Sequence, residues 1–174
     1  MLPALPDLFP GYPTELRALL PGIVALQRLA ASFGIPDIFQ NNGFQHLQLL
    51  LLTGLRNLAA RTGNDAVDEL GTEYECKTLD ASRTSSFSTH HHLNGRILTK
   101  YRQVPWIFGV CQGSFVTEVY QLTPEQLEPY FAHWEAKGRE LNNPKIALNF
   151  VRKQGLCLYA AHRPELPLLL HEDD

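Results

Sequence analysis

The chain has 174 residues, 44% of them hydrophobic, which suits one folded domain with a real core and excludes a disordered segment. A net charge of -3 and a pI near 6.1 argue, taken alone, against a nucleic-acid binder, since most are basic. Cys76, Cys111 and Cys157 leave one thiol unpaired in any disulfide scheme and lack zinc-site spacing; no basic stretch leads into an apolar run at the N-terminus; and the longest apolar block, Leu47–Leu55, is far short of the ~20 residues of a membrane span, so a reduced cytoplasm without signal peptide is expected.

Residues 1–13 are proline-rich and read as irregular. From Thr14 to Phe33 apolar residues recur at helical spacing; Thr14 is a candidate cap, Gly34 a candidate stop, and Pro21 is predicted to kink or divide the helix. A second helix is predicted from Gly43 to about Leu58. Around Leu47–Leu52 it is apolar on nearly every side, which implies burial on more than one face, by core or by a partner subunit. Asn64–Glu69 and Thr72–Leu79 read as a hairpin joined near Gly71, followed by a polar, turn-rich stretch over 80–92. Leu93–Arg102 is predicted helical, and Val104–Cys111 and Phe115–Leu122 are strands around the turn Gln112-Gly113-Ser114. Thr123-Pro124-Glu125-Gln126 is a capped helix start, with Leu127, Phe131 and Trp134 as the buried stripe and Pro129 as a bend. Asn142–Lys145 is a turn, Ile146–Val151 and Leu156–Tyr159 are further strands, and 160–174 is a loose tail. The pattern implies a mixed α/β fold around one sheet.

Charge is unevenly placed. Residues 1–76 hold four basic and eight acidic side chains, whereas 77–102 hold Lys77, Arg83, Arg96, Lys100 and Arg102 against Asp80 alone, with three histidines. Such an island can steer a polyanion despite the total. Beside it lies the most informative segment, Asp65 to Lys77. On a strand, Glu73, Glu75 and Lys77 share one face, and Asp65 on the preceding strand is close enough to join it. Two carboxylates with a lysine one pleat away suit Mg²⁺, which takes one or two carboxylates plus water and phosphate. There a bound cation activates water and polarises a phosphoryl oxygen, while Lys77 positions the water. The pattern D-x9-E-x-K also occurs as a plain surface ladder of paired charges.

Ser88-Thr89-His90-His91-His92 follows within the island. Adjacent side chains on an extended chain diverge and no Cys or carboxylate flanks them at ligand spacing, which disfavours zinc. Base contact, with a histidine N–H donating to guanine N7 or O6, stands beside a solvated loop as the reading. Asn142-Asn143-Pro144-Lys145 can bond adenine N6 and N7 through an amide, or serve simply as turn chemistry.

Taken together, Asp37-Ile38-Phe39-Gln40, Thr53-Gly54-Leu55, Gly63-Asn64-Asp65-Ala66-Val67-Asp68, Glu73-Tyr74-Glu75-x-Lys77, Phe87–His92, Lys100–Phe108 and Asn142–Ile146 resemble, in order, the PvuII family of type II restriction endonucleases over roughly residues 30–160. The resemblance implies the restriction-endonuclease-like PD-(D/E)xK fold and a U-shaped homodimer on duplex DNA. It implies Mg²⁺-dependent double-strand cleavage at the palindrome CAGCTG, leaving blunt ends, and a cognate methyltransferase in the host. Residues 1–60 would then serve dimerisation, 61–159 catalysis and recognition. By matching position, Asp65 and Glu75 are metal ligands, the Cys76 carbonyl adds a ligand, Lys77 is the catalytic lysine, and Tyr101 lies near the scissile phosphate. Ser88, His91, His92, Asn142 and Asn143 read the major groove. The sequence departs from the family at Asn41, where an Asp near the minor groove is usual, at Gln45 in place of a Lys, and in the extension 160–174. Asn41 leaves open a catalytically impaired or altered-specificity relative.

Overall fold

A computed structural model describes residues 9–58 and 64–161; the start of the proline-rich opening and the tail from 162 lie outside them. The fold is organised around β5 (Trp106–Gln112), buried at every position except Gln112. Its unbroken run Trp-Ile-Phe-Gly-Val-Cys is what a strand covered on both faces requires. The sheet order is β1 (Arg56–Asn57), β2 (Ala66–Val67), β3 (Glu73–Asp80), β5, β6 (Phe115–Leu122) and β8 (Leu156–Ala160). β3 runs parallel to β5 and the other pairs are antiparallel, so the sheet is mixed.

Alternation along β5 divides the core. Trp106, Phe108 and Val110 pack with Tyr101, Leu127, Phe131 and Val151 from α3 (Gly95–Tyr101), α4 (Pro124–Glu135) and α5 (Leu148–Gln154). Ile107 and Cys111 pack with Ala30, Leu47, Leu49 and Leu50 from α1 (Thr14–Ser32) and α2 (Gly43–Thr53). The sheet is therefore the middle of three layers. A Cβ at Gly109 would stand 2.8 Å from Leu49 Cδ2, so this bare position in β5 is what lets α2 lie close to the sheet. A separate two-stranded arm, β4 (Ser86–Ser88) with β7 (Lys145–Ala147), stands beside the main sheet.

Most predicted elements are present, with several differences: the stretch read as turns over 80–92 contains β4, which adds a second sheet to the one expected, and the strand read over Asn64–Glu69 is confined to Ala66–Val67. Thr14 is the first helical residue, and the cap position, Pro13, makes no side-chain bond. α1 passes through Pro21 as one helix. It ends as expected at Gly34, whose φ of 74° permits Gly34 N–H to bond Ala31 O and Ile35 N–H to bond Ala30 O. α2 stops at Thr53 because Gly54 turns left-handed (φ 73°), which frees Arg56–Asn57 to pair with β2. The strand predicted over Ile146–Val151 is strand only to Ala147; Leu148 and Val151 then bury one face of α5. A short apolar run fits both periods, and here the arm claims the first half and the core the second. The capping box at Thr123 and Gln126 forms as predicted. Among the described residues no helix is long and apolar enough to cross a membrane, and all three cysteines are free.

Candidate active site

The β2–β3 hairpin builds the site. Gly71 (φ 86°) makes the turn, and Asp68 organises it by accepting from Leu70 N–H, Thr72 N–H and the Tyr74 hydroxyl. Asp68 is thus a structural carboxylate. Glu73 is likewise engaged elsewhere, accepting from the Asn64 amide on the surface. β2 is only two residues long, so beyond Ala66↔Tyr74 the edge of β3 is open. Asp65 occupies that edge: its N–H bonds Tyr74 O at 3.0 Å and its carboxylate accepts Cys76 N–H at 2.9 Å. Because Glu75 N–H bonds the carbonyl of Pro105, just before β5, the N–H and C=O of Cys76 face the opposite way, onto the same edge as Asp65.

Glu75 and Lys77 lie in register with Trp106 and Phe108 of β5. Lys77 Nζ is 2.5 Å from Glu75 and 3.8 Å from Asp65, and it sits 5.9 Å from the Trp106 ring centre. Asp65, Glu75 and Lys77 therefore converge as the residue spacing predicts. Glu75 is only 6% exposed. Burial pushes its carboxyl above the ordinary range, against the pull of Lys77. For Lys77 burial acts downward, but the Glu75 and Asp65 carboxylates outweigh it and hold the ammonium above its ordinary value. Burial, then the charges of Asp65 and Glu75, push the Cys76 thiol far up, so its sulfur stays protonated and only its carbonyl offers a donor. Tyr101 is buried, and burial followed by the charges of Glu75 and Asp65 keeps its hydroxyl protonated.

Among the described residues no three His, Cys, Asp or Glu side chains converge into a metal cage. The Asp65 carboxylate and Cys76 carbonyl on the open edge, with the Glu75 carboxylate beside Lys77, are instead a partial set of hard oxygen donors. That set fits a divalent cation that keeps several waters and borrows a phosphate oxygen, not a zinc cage.

A cleft of about 500 Å³ opens onto this floor. Asp65, Cys76 and Lys77 line it together with Asn41, Asn42, Ser88 and Thr89. Asn41 (φ 50°) and Asn42 (φ 57°) are both left-handed, a conformation Asn tolerates. A Cβ on Gly43 would meet Asp37 O at 2.5 Å, so glycine is needed for this loop to fold back on α2. His46 and Asn57, which the sequence did not single out, bond each other at 3.0 Å within the same lining.

The second candidate cluster also assembles. β4 pairs Ser86, Phe87 and Ser88 with Ala147, Ile146 and Lys145, and the fully buried Phe87 pins the arm to the core. Beyond it Thr89 bonds Pro144 O, Asn143 N–H bonds His90 O, and Leu93 bridges Leu141. Ser88 Oγ receives Lys145 Nζ at 3.3 Å and the Asn143 amide at 3.5 Å. Ser88 and Asn143, 55 residues apart in sequence, thus meet, and His91, His92 and Asn142 lie on the same two joined segments. His91, His92 and Asn142 are exposed and Asn143 is half-buried in a left-handed turn (φ 51°).

The positive island is smaller than its sequence implies. Lys77 belongs to the active site, and Arg102 is held by both Glu128 and Glu135 through four hydrogen bonds of 2.8–3.0 Å. Arg83, Arg96, Lys100 and Lys145 remain exposed.

A family model described as restriction endonuclease PvuII matches residues 12–159, which include every residue of both clusters. The mixed six-stranded sheet between helices is consistent with the restriction endonuclease fold. With the match spanning most of its length, the chain belongs to the PvuII restriction endonuclease family and is a type II site-specific deoxyribonuclease.

Proposed function

We propose that the protein hydrolyses both strands of DNA at CAGCTG as a Mg²⁺-dependent homodimer, leaving blunt ends. The observation that carries this reading is the convergence of Asp65, Glu75 and Lys77, of which Asp65 and Lys77 line a cleft shared with Asn41, Ser88 and Thr89. Asp65, Glu75 and the Cys76 carbonyl are the donors for the cation. When bound, it makes a water nucleophilic and polarises the phosphoryl oxygen. Lys77 orients the attacking water and opposes the negative charge that develops on the phosphate. Tyr101 lies near the scissile phosphate, with the Glu75 charge close enough to act on its hydroxyl.

His91 and His92 suit guanine acceptors, Asn142 and Asn143 suit adenine, and Ser88 sits among them. Asn41 lies in a different loop, toward the minor groove. The code there is degenerate, so Asn41 affects rate and positioning more than the site read. A palindrome mirrors two-fold protein symmetry, which calls for a dimer. Leu47, Leu49 and Leu50 are buried within the protomer, so the contact falls to the exposed Leu51 and Leu52 with Leu16, Leu19 and Leu29 of α1. The first ~60 residues then serve dimerisation and the following hundred or so catalysis and recognition. A cytoplasmic setting with a cognate methyltransferase completes the reading; residues 160–174 receive no role.

The test is plasmid cleavage with Mg²⁺ by wild type and Glu75→Ala. Wild type should yield discrete linear fragments, and Glu75→Ala should bind the same DNA while leaving it intact. Substantial cleavage by Glu75→Ala removes the assignment.

A further inference from the structure

Within the arm, one contact reaches beyond the groups that face bases. His92 Nδ1 and Glu140 Oε1, 48 residues apart, meet at 2.6 Å. A carboxylate oxygen only accepts, so Nδ1 carries the hydrogen. His92 is fixed from its backbone as well: its N–H donates to His90 Nδ1 at 3.0 Å, and the Leu93–Leu141 bridge ties the two segments next to the pair. Among the described residues Nε2 has no partner. The side chain is nevertheless 74% exposed. Holding an exposed ring in one orientation costs side-chain entropy, and a solvent-facing ion pair offsets little of that. Such ordering is of use to a ligand that meets the ring already oriented.

We propose that Glu140 is a positioning residue for base readout. It holds Nδ1–H of His92 toward the carboxylate and leaves Nε2 as the reading atom. This rests on the reading that His92 contacts bases. The consequence is chemical. With one hydrogen, on Nδ1, Nε2 is an acceptor and opposes guanine N7 and O6. With two, Nε2 donates to them. Readout of guanine by His92 therefore takes up a proton. The other titratable and charged groups beside this pair are His90 and His91 next to His92, and Arg139 next to Glu140.

Two measurements test this on the intact protein. Nitrogen NMR of the His92 imidazole reports the tautomer of the neutral ring. Wild type should carry the hydrogen on Nδ1. Glu140→Gln should keep it there through the amide oxygen, and Glu140→Ala should move it to Nε2, the form free imidazole prefers. Binding without Mg²⁺ compares a duplex carrying the mapped cleavage site with one in which guanine is replaced by 7-deazaguanine, which lacks the N7 acceptor. Wild type should prefer the natural duplex, more so near about pH 6 than about pH 8. Glu140→Gln should keep that dependence on pH, and Glu140→Ala, whose neutral ring carries its hydrogen on Nε2 and donates without taking up a proton, should hold the preference unchanged from about pH 6 to about pH 8. If Glu140→Ala keeps the wild-type tautomer and the wild-type dependence on pH while His92→Ala loses the preference, the role of Glu140 is overturned and base reading by His92 stands. If His92→Ala keeps the preference, His92 does not read guanine N7, and both fall.

Discussion

Replacing Lys77 by Met keeps most of the side chain's bulk and removes its charge. In the metal-free protein Nζ lies 2.5 Å from Glu75 and 3.8 Å from Asp65. Without it, two carboxylates face one another and one of them is only 6% exposed. Breaking a buried pair from one side typically costs about 3–5 kcal/mol. Asp65 is 41% exposed and Lys77 18%, so solvent relieves part of this and a loss of about 2–4 kcal/mol at neutral pH is expected. The pH dependence has a definite sign. Burial already holds the folded-state pKa of Glu75 above the ordinary 4.5, and losing Lys77 raises it further. A carboxyl whose folded pKa is raised destabilises the fold while ionised, so the variant should recover stability as pH falls from that raised value toward 4.5. Mg²⁺ should stabilise the variant more than wild type, because in wild type the ammonium already stands between the carboxylates. Urea unfolding at fixed protein concentration, with and without Mg²⁺, measures all three effects. A Lys77→Met protein as stable as wild type at neutral pH, with no recovery on acidification, would refute the account of the triad.

Other outcomes follow from single observations. Lys145→Ala should lower the slope of log affinity against log salt by about one unit, whereas Arg102→Ala should leave it unchanged because Glu128 and Glu135 already hold that guanidinium. The same pairing lowers the pKa values of Glu128 and Glu135, so its stabilising effect should fade as acid titrates them through their folded values, and thermal melts of Arg102→Ala should lack that step. Gly109→Ala places a methyl against buried Leu49 and should cost about 1–3 kcal/mol in unfolding experiments. Asn41→Asp should change the cleavage rate without changing the site, since Asp also tolerates the left-handed backbone; a new site in fragment maps would make Asn41 a specificity residue.

The sheet and the triad are legible in the sequence because both depend on local periodicity. The run Trp106–Cys111 demands a doubly covered strand, and the alternation of Glu75 and Lys77 fixes which side chains share a face. Asp65 was predicted to reach them across a hairpin, and it does so by standing in for the missing end of β2. Less was legible where a choice depends on distant partners. Leu148 could not be assigned to a helix without the core that receives Val151. Arg102 looked free because Glu128 and Glu135 lie on the following helix, 26 and 33 residues away. Glu140 carried a weak signal as a carboxylate two residues before Asn142, but its pairing with His92 requires the two loops to dock. His46 and Asn57 gave none, since each sits in a segment that otherwise reads as helix.

The central claim is that this site cuts duplex DNA at one palindromic sequence. It is tested most directly by digesting DNA of known sequence in Mg²⁺ and sequencing the fragment ends. The account predicts blunt ends at the centre of every CAGCTG and none elsewhere, abolished in Lys77→Met. A continuous smear, ends at unrelated sequences, or DNA that is bound but never cut would contradict it.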